Sequence, residues 1–281
     1  DIAFTSEAAK QVNKFIFETM YHASVEMSNE IAIERSAAMK TIREALDNDR
    51  FEFDNYNDKI CCSISSCNDK PIPEVIAKLI KAYKPLNHEM SNLCEDHLGA
   101  YATFTNSPTA QGELQFDLWG IIPSERYNWN VLKENIIKYG IRNSLLIAPM
   151  PTASTSQILG NNEAFEPMTS NIYSRRTNAG EFTVVNKYLM RELIEKNRWN
   201  EELKNNIIKN RGSVQQIEGV SAAFKAKYKT VWEMPMRDII DMAADRGAFI
   251  CQSQSMNLWL EEPNYNQLTA MHFHAWKKGL K

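Results

Sequence analysis

The residues with the clearest chemical potential lie near the middle of the chain, where an apolar segment runs into a cluster of hydroxyl side chains. Thr152, Ser154, Thr155 and Ser156 place four hydroxyl groups within five positions. If a helix begins here, its first backbone amides have no internal acceptor, and the helix dipole adds partial positive charge at the same place. Such amides, together with the hydroxyl groups, could bind a phosphate without a lysine. Pro151 removes a competing donor and stiffens the entry to the turn.

The same stretch is also typical of an ordinary helix that begins with a Ser or Thr cap inside a loop. Such caps are common, so the residue types alone favour the capped helix over the phosphate site. A phosphate site would gain about 1.5–3 kcal/mol from each hydrogen bond to the charged group. Both interpretations remain open at this level.

The elements around the hydroxyl cluster alternate between helices and strands, which from Gly99 onward is typical of an α/β protein. Residues 143–150 are predicted to form a buried strand, and in α/β proteins the carboxyl end of a strand opens on the ligand face. A second strand is predicted over residues 255–260. Apolar residues spaced three and four apart predict helices over residues 6–35, 129–139, 186–197, 199–210, 236–246 and 266–278. Ser6 is the expected cap of the first helix, whose pattern weakens near Arg35.

Composition and charge restrict the class of protein. The chain has 281 residues, of which 43% are hydrophobic and 24% charged, as in ordinary soluble globular proteins. The formal net charge of -3 gives no reason to expect nucleic acid or an anionic membrane as a partner. No apolar run approaches the roughly 20 residues of a membrane helix, and no signal peptide is visible. The first residue is Asp1 rather than Met, as expected for a processed product or an excised piece of a longer protein.

Five cysteines, an odd number without a signal peptide, favour reduced thiols and a cytoplasmic location. Four of them fall within residues 36–97, a region that differs in character from the rest. It combines a polar, turn-rich stretch with a short helical pattern over residues 73–83. We interpret residues 36–97 as an insertion of unknown fold.

The cysteines of this insertion have a spacing that suggests a metal. Cys62 and Cys67, followed by Cys94 and His97, resemble paired zinc ligands, and a thiolate-rich site could fold a small insertion with little core. The spacing is not that of a standard finger, and Cys61 lies directly beside Cys62. A loop of reduced thiols is therefore the favoured interpretation, with zinc as the alternative.

A longer pattern surrounds the hydroxyl cluster. Residues 142–163 read RNSLLIAPMPTASTSQILGNNE. Further characteristic segments lie at residues 16–19, 165–167, 170–173, 180–182, 185–186, 229–233, 246–250, 252–255, 262–265 and 271–273. Together these segments resemble the large subunit of class I ribonucleotide reductases of the eukaryotic and viral type. The resemblance covers about residues 1–35 and 98–281, which is far more specific than a short motif.

The resemblance implies an α/β fold, the second half of a ten-stranded α/β barrel with a small inserted subdomain. Residues 1–35 would be a barrel helix, and residues 98–281 the C-terminal half of the barrel. In the family, the substrate phosphates are held by the loop that matches Thr152, Ala153, Ser154, Thr155 and Ser156. Met150 and Pro151 would lie beside the sugar, with Asn161 and Glu163 in support.

The resemblance also implies the reaction, the radical-based reduction of ribonucleoside diphosphates to 2'-deoxyribonucleoside diphosphates for DNA replication. The radical cysteine, its base Glu and the allosteric ATP-binding sites would precede this part of the family, and a tyrosine pair would follow Lys281. We therefore expect no catalytic residue and no cofactor in this chain. The Asn-Leu-Cys of residues 92–94 matches the radical loop by chance, because Asp96 replaces the expected Glu and the order of segments differs.

The implied partners are the N-terminal half of the large subunit and a metal-containing small (beta) subunit that supplies the radical. Thioredoxin or glutaredoxin would restore the reducing dithiol. A second hypothesis is a non-catalytic remnant or regulatory protein that docks on a complete reductase, with residues 36–97 as the interaction module. A third, an unrelated phosphate-binding barrel enzyme, is disfavoured by the length of the resemblance.

Overall fold

A computed structural model describes residues 2–47 and 95–280, which fall into two units. Unit 1 comprises Asp1–Glu18 and Ala148–Lys281, and unit 2 comprises Thr19–Ile147. The hydroxyl cluster therefore belongs to unit 1. Within the described residues, no helix combines the length and the apolar character needed to cross a membrane.

Helix α1 (Glu7–Asp47) begins where the sequence predicts, because Ser6 caps it. The Ser6 hydroxyl accepts a hydrogen bond from the Ala9 amide at 3.2 Å. The helix continues to Asp47, so the end predicted near Arg35 is wrong. Residues 36–47 contain good helix formers and neither Gly nor Pro, so the local sequence offers no stop signal.

Unit 2 is organised by aromatic side chains. Its short elements are 3-10 helices at Glu95–His97, Phe104–Asn106 and Pro108–Gln111, and the α-helices α2 (Gln115–Leu118) and α3 (Trp129–Tyr139). Phe116 packs edge-on against Trp129 with 4.7 Å between ring centroids, and Tyr21 lies 6.1 Å from Trp129. The Tyr21 hydroxyl also accepts a hydrogen bond from the Gln115 amide at 3.2 Å. These contacts hold α2 and α3 against the part of α1 that belongs to this unit.

Backbone segments of unit 2 approach α1 very closely. A Cβ atom added at Gly99 would lie 1.8 Å from the carbonyl oxygen of Ala32, so only glycine fits there. Asn29 donates a hydrogen bond to the carbonyl of Gly140 at 2.7 Å, and the Arg142 amide donates to the Ser28 carbonyl at 2.9 Å. Buried polar groups of α1 thus form the hydrogen bonds that the backbone packed against them requires.

Unit 1 is built from short helices and one hairpin. Its helices are α4 (Ala153–Ile158), α5 (Lys187–Glu195), α6 (Glu201–Lys209), α7 (Ala222–Lys227), α8 (Met236–Gly247) and α9 (Tyr265–Lys277), with a 3-10 turn at Val231–Glu233. The predictions for α3, α5, α6, α8 and α9 are confirmed to within about two residues at each end, the usual uncertainty of a helix boundary. Asn186, Asn200 and Asn264 cap three of these helices through their side chains.

Strands β1 (Ile172–Thr177) and β2 (Gly180–Val185) form an antiparallel hairpin that the sequence analysis did not identify. The register pairs Ile172 with Val185 and Thr177 with Gly180, which leaves a two-residue turn. Most of β2 is exposed, so the hairpin lacks the alternation of buried and exposed residues that marks a strand. The turn residues just before Gly180 are the sequence feature that could have indicated the hairpin.

The two strands predicted at residues 143–150 and 255–260 are irregular segments in the structure, so these predictions are wrong as secondary structure. A single long backbone hydrogen bond of 3.4 Å joins the Ser255 amide to the Pro149 carbonyl. A strand requires a ladder of such bonds. Within the described residues, the β1–β2 hairpin is the only sheet.

The core of unit 1 lies between the hairpin and helices α5 to α7. Its main cluster of buried side chains consists of Ile172, Leu189, Leu193, Ile207, Val214, Ile217, Phe224 and Tyr228. A second, smaller cluster of Val231, Met236 and Ile239 lies at the start of α8. Burial of each large aliphatic side chain contributes about 1.5–3 kcal/mol, so this core is the main source of the unit's stability.

A charged cluster borders this core at Glu192. Its carboxylate accepts hydrogen bonds from Lys196 at 2.7 Å and from the Tyr228 hydroxyl at 2.8 Å, and it forms an ion pair with Lys227. Burial alone would raise the pKa of Glu192, but these hydrogen bonds outweigh it and lower the pKa to about 2. Burial and the Glu192 carboxylate raise the pKa of Tyr228.

We predict that Gly99→Ala destabilises the full chain by at least about 3 kcal/mol, because the new methyl group collides with a helix backbone that cannot move aside. Gly120→Ala is the control, since Gly120 has a φ of 63° but open space around it. That substitution should cost only about 1–2 kcal/mol of backbone strain. Urea unfolding measures both, and an equal loss in the two variants would contradict the close approach.

The Glu192 cluster predicts a pH dependence of stability. The pKa of Glu192 is about 2 in the folded chain against an ordinary value of 4.5, so its contribution is complete above pH 4.5 and is lost as the pH falls through about 2. Since the cluster is partly solvated, we expect this contribution to be about 1–2 kcal/mol. Glu192→Gln should therefore flatten the loss of unfolding free energy between pH 5 and pH 3, measured by urea titration. An unchanged slope would show that Glu192 does not titrate as described.

Candidate functional site

The hydroxyl cluster lies on a loop that is closed at its base by hydrogen bonds. The Ala164 amide donates to the Pro151 carbonyl at 3.0 Å and to the Thr152 hydroxyl oxygen at 3.3 Å. The Thr152 hydroxyl in turn donates to the Pro151 carbonyl at 2.7 Å. The two bonds of the Ala164 amide bring the end of the loop against its start, and α4 lies between them.

Thr152 has a left-handed backbone, with φ 57° and ψ 33°. This conformation is rare for a β-branched residue and costs roughly 1–2 kcal/mol. Ala164, at the other side of the loop base, also has a positive φ of 48°. Such strain persists only where surrounding contacts fix the backbone, and it is concentrated at functional sites.

The first turn of α4 leaves its amides open. The first helical hydrogen bond runs from the Ser156 amide to the Thr152 carbonyl at 2.9 Å. The amides of Ala153, Ser154 and Thr155 therefore precede the ladder and have no acceptor among the described residues. All three residues are exposed, so an anion could reach these amides together with the neighbouring hydroxyl groups.

Thr152 does not cap this helix. Its side chain makes no capping hydrogen bond, because its hydroxyl is bound at the loop base instead. By contrast, the side chains of Asn186, Asn200 and Ser221 accept hydrogen bonds from the first turns of α5, α6 and α7. The interpretation of this stretch as an ordinary Ser- or Thr-capped helix is therefore wrong.

The predicted phosphate-binding residues fall into two groups that differ in exposure. Met150, Pro151, Thr152, Ala153, Ser154 and Thr155 are all exposed around the first turn of α4. Ser156 is 5% exposed, and its hydroxyl donates a long hydrogen bond of 3.4 Å to the Ala153 carbonyl. Ser156 therefore turns its side chain away from the exposed face, and its role as a phosphate ligand stays a prediction.

The two supporting residues lie after α4. The Asn161 amide donates to the Ser156 carbonyl at 2.8 Å, and its side-chain oxygen accepts a hydrogen bond from Lys187 at 3.2 Å. Glu163 is half-buried near the base of the loop. Sequence reasoning missed Lys187, as well as Arg175, which donates to the side-chain oxygen of Gln157. No spacing rule could have found these pairs, since each joins separate elements.

A buried arginine anchors the segment that follows the loop. Arg246 is 2% exposed, and its guanidinium lies over the rings of Phe17 and Phe165, 6.0 Å and 5.6 Å from their centroids. Its Nε donates to Gln254 at 2.6 Å. Burial lowers the pKa of Arg246 to about 10, and the negative charge of Glu166 opposes this shift only in part.

Of the zinc candidates, Cys62, Cys67 and Cys94 lie outside the described residues. His97 is described, and its Nε2 lies 2.9 Å from the Ile137 carbonyl oxygen. Its Nδ1 is buried without a hydrogen-bond partner among the described residues. Within residues 2–47 and 95–280, no group of three or more His, Cys, Asp or Glu side chains could hold a metal ion.

Unit 1 also contains a cavity of about 470 Å³ between the first turns of α1 and the segment 165–168. Its walls are mainly apolar, with Lys227 and Lys229 among the lining residues. None of the predicted phosphate residues lines it. An anion site at the start of α4 would thus be an exposed surface site, separate from this cavity.

A family model described as "Ribonucleotide reductase, barrel domain" matches residues 1–83 and 74–281. The chain therefore belongs to the ribonucleotide reductase barrel-domain family. This membership confirms the family expected from the sequence. It also confirms the expected α/β barrel class, which is the fold class of that family.

Several relatives are similar in sequence to part of the chain or to nearly all of it. The "Ribonucleoside-diphosphate reductase large subunit" of Dictyostelium discoideum is 62% identical over 184 residues, which are 65% of this chain and 21% of the relative. The protein of the same name from Caenorhabditis elegans is 42% identical over 278 residues, 99% of this chain and 27% of the relative. The Vaccinia virus protein of this name is 56% identical over 183 residues. The chain thus spans only about a fifth to a quarter of the length of these relatives.

A solved structure also matches, the "Actinobacillus ureae class Id ribonucleotide reductase alpha subunit". It is 27% identical in sequence and has a TM-score of 0.46. The match covers 72% of this chain and 33% of that chain.

We predict that Thr152→Val destabilises unit 1 by about 1 kcal/mol, since valine keeps the shape and the backbone strain of threonine but loses the hydroxyl hydrogen bonds at the loop base. Thr155→Val is the matched control, because the Thr155 side chain is exposed and makes no hydrogen bond among the described residues. It should change the unfolding free energy by less than about 0.5 kcal/mol. Equal losses in urea unfolding would contradict a structural role of the Thr152 hydroxyl.

Proposed function

We propose that this chain is part of the large subunit of a ribonucleoside-diphosphate reductase and that the start of α4 grips the phosphates of the ribonucleoside diphosphate substrate. The family membership and the names of the relatives support the reaction class. The proposed reaction is the reduction of a ribonucleoside diphosphate to its 2'-deoxy form, as part of the supply of precursors for DNA replication.

The observation that carries the phosphate grip is the uncapped first turn of α4. The amides of three exposed residues have no helical acceptor, and the Thr152 hydroxyl is bound at the loop base and does not cap them. A diphosphate is rich in charged acceptor oxygens, so it suits such a row of donors. The partial positive charge of the helix start adds to the attraction over the first turn.

The loop residues would have different roles in phosphate binding. Ser154 and Thr155 combine free amides with exposed hydroxyl groups, so they would donate directly to the phosphate oxygens. Ala153 contributes its amide alone. Met150 and Pro151 precede the turn and would border the sugar. Ser156 and Thr152 maintain the loop through their hydrogen bonds, in addition to any contact with the ligand.

The proposed activity requires partners. The chain covers 21% and 27% of the length of the Dictyostelium discoideum and Caenorhabditis elegans relatives. We assign the radical cysteine, its base and the allosteric ATP-binding sites to the remainder of the large subunit. The N-terminal half of the large subunit would complete the barrel, and a small subunit would supply the radical. Thioredoxin or glutaredoxin would be the reductant, with the assembly in the cytoplasm.

The phosphate grip is tested with the full chain and ³¹P NMR, which detects weak binding. Pyrophosphate and ADP should bind and broaden their phosphorus signals, because each carries two linked phosphate groups. Ser154→Ala combined with Thr155→Val should weaken pyrophosphate binding about ten-fold, the effect of losing roughly 1.4 kcal/mol of hydrogen bonding. Adenosine, which has no phosphate, should not compete with pyrophosphate.

A matched control for this experiment is Ser124→Ala combined with Thr109→Val, which removes the same two groups from unit 2. These substitutions should leave pyrophosphate binding unchanged. If the wild-type chain does not bind pyrophosphate, or if both double variants bind as the wild type does, α4 does not grip phosphate.

A further inference from the structure

Helix α4 has almost no apolar anchor. It is six residues long, and Ser156 is its only buried residue. Ile158 is 84% exposed and Leu159, the residue that ends the helix, is 62% exposed. A helix this short is not stable by itself, so contacts with other elements must hold it. Since apolar packing contributes little here, these contacts are the polar ones.

The first polar contact comes from the hairpin. Arg175 on β1 donates a hydrogen bond from its guanidinium to the side-chain oxygen of Gln157, near the end of α4. The bond is charge-assisted and joins two half-buried side chains, which makes it stronger and more directional than an exposed contact. The next residue, Arg176, is exposed and points to the other face of the hairpin.

The second contact comes from the start of α5. Lys187 donates from its ammonium to the side-chain oxygen of Asn161 at 3.2 Å. Its Nζ lies 3.8 Å from the position that a Cβ on Gly160 would occupy, so the ammonium rests against the turn that follows α4. The Asn161 amide closes this turn by donating to the Ser156 carbonyl at 2.8 Å. Both cations thus meet the carboxyl end of α4, where positive charge is favourable.

We propose that Arg175 and Lys187 are positioning residues that fix the direction of α4 by gripping its carboxyl end through Gln157 and Asn161. Together with the hydrogen bonds of Thr152 and Ala164 at the loop base, they hold the helix at both ends. A rotation of α4 would move the open amides of its first turn away from a bound phosphate. This inference rests on the proposed phosphate site for its effect on ligand binding, but the grip on α4 exists independently of any ligand.

Hydrogen exchange of the full chain tests the grip without a ligand. Arg175→Gln and Lys187→Gln should speed the exchange of the Leu159, Gly160 and Asn161 amides about ten-fold, because α4 then loses an anchor. Arg176→Gln, a neighbouring arginine on the opposite face, should leave these amides unchanged. Arg175→Lys keeps the charge and a donor and should restore most of the protection. Unchanged exchange in both Gln variants would overturn the proposal.

Pyrophosphate binding by ³¹P NMR tests the positioning role. Arg175→Gln should weaken binding several-fold, while the midpoint of thermal unfolding stays near that of the wild type. Gln157→Met, which leaves every charge in place, should weaken binding to the same degree, and the double variant should be no weaker than either single variant. Additive losses would mean that Arg175 acts on the phosphate directly and not through Gln157, and would overturn the positioning role.

The two readouts separate the possible failures. If the wild-type chain binds no pyrophosphate, the proposed function fails, while hydrogen exchange still decides whether the grip exists. If exchange quickens in the Gln variants but binding is unchanged, the grip exists and does not position the phosphate site, so the inference is wrong.

Discussion

The left-handed backbone of Thr152 is the constraint on which the start of α4 depends. A left-handed backbone at a β-branched residue destabilises the fold by roughly 1–2 kcal/mol, and the net stabilisation from one hydrogen bond is about 1 kcal/mol. The bonds that join Thr152 and Pro151 to Ala164 are therefore of the right size to offset the strain. Because the Thr152 hydroxyl is occupied at the loop base, it cannot cap the helix, and the first amides of α4 remain open. The backbone strain and the open amides of α4 therefore have a common origin.

The helices of unit 1 are held in two different ways. Helices α5 and α8 are fixed by buried aliphatic side chains such as Leu189, Leu193 and Ile240, whose contribution is large but not directional. Helix α4 is fixed by hydrogen bonds, which are weaker but define an orientation. A helix with the proposed task of presenting its open amides to a small anion requires orientation more than it requires stability. Its exposed position and polar anchoring are consistent with that requirement.

The segment after the loop is tied to the rest of unit 1 by a buried charge. Removing Arg246 from water is costly, and the aromatic faces of Phe17 and Phe165 with the Gln254 hydrogen bond offset part of that cost. Glu166, directly after Phe165, accepts a hydrogen bond from the Asn257 amide at 2.8 Å. The loop exit is therefore connected to α1, to α8 and to the segment before α9. The loop is thus coupled to elements distant in sequence.

The sequence by itself determined the family, most α-helices of both units and which loop is the candidate for binding phosphate. Helix periodicity and asparagine caps such as Asn186 are local signals. The family resemblance of residues 142–163 can likewise be recognised without knowledge of the fold. Only the tertiary structure decided that α1 continues to Asp47, that residues 172–185 form a hairpin and that residues 143–150 form no ladder, because each depends on partners distant in sequence. It also decided that Thr152 does not cap α4 and that Arg175 and Lys187 reach its far end. A hydroxyl group can donate to different carbonyls and accept from different amides, and only the folded chain decides which of them it meets.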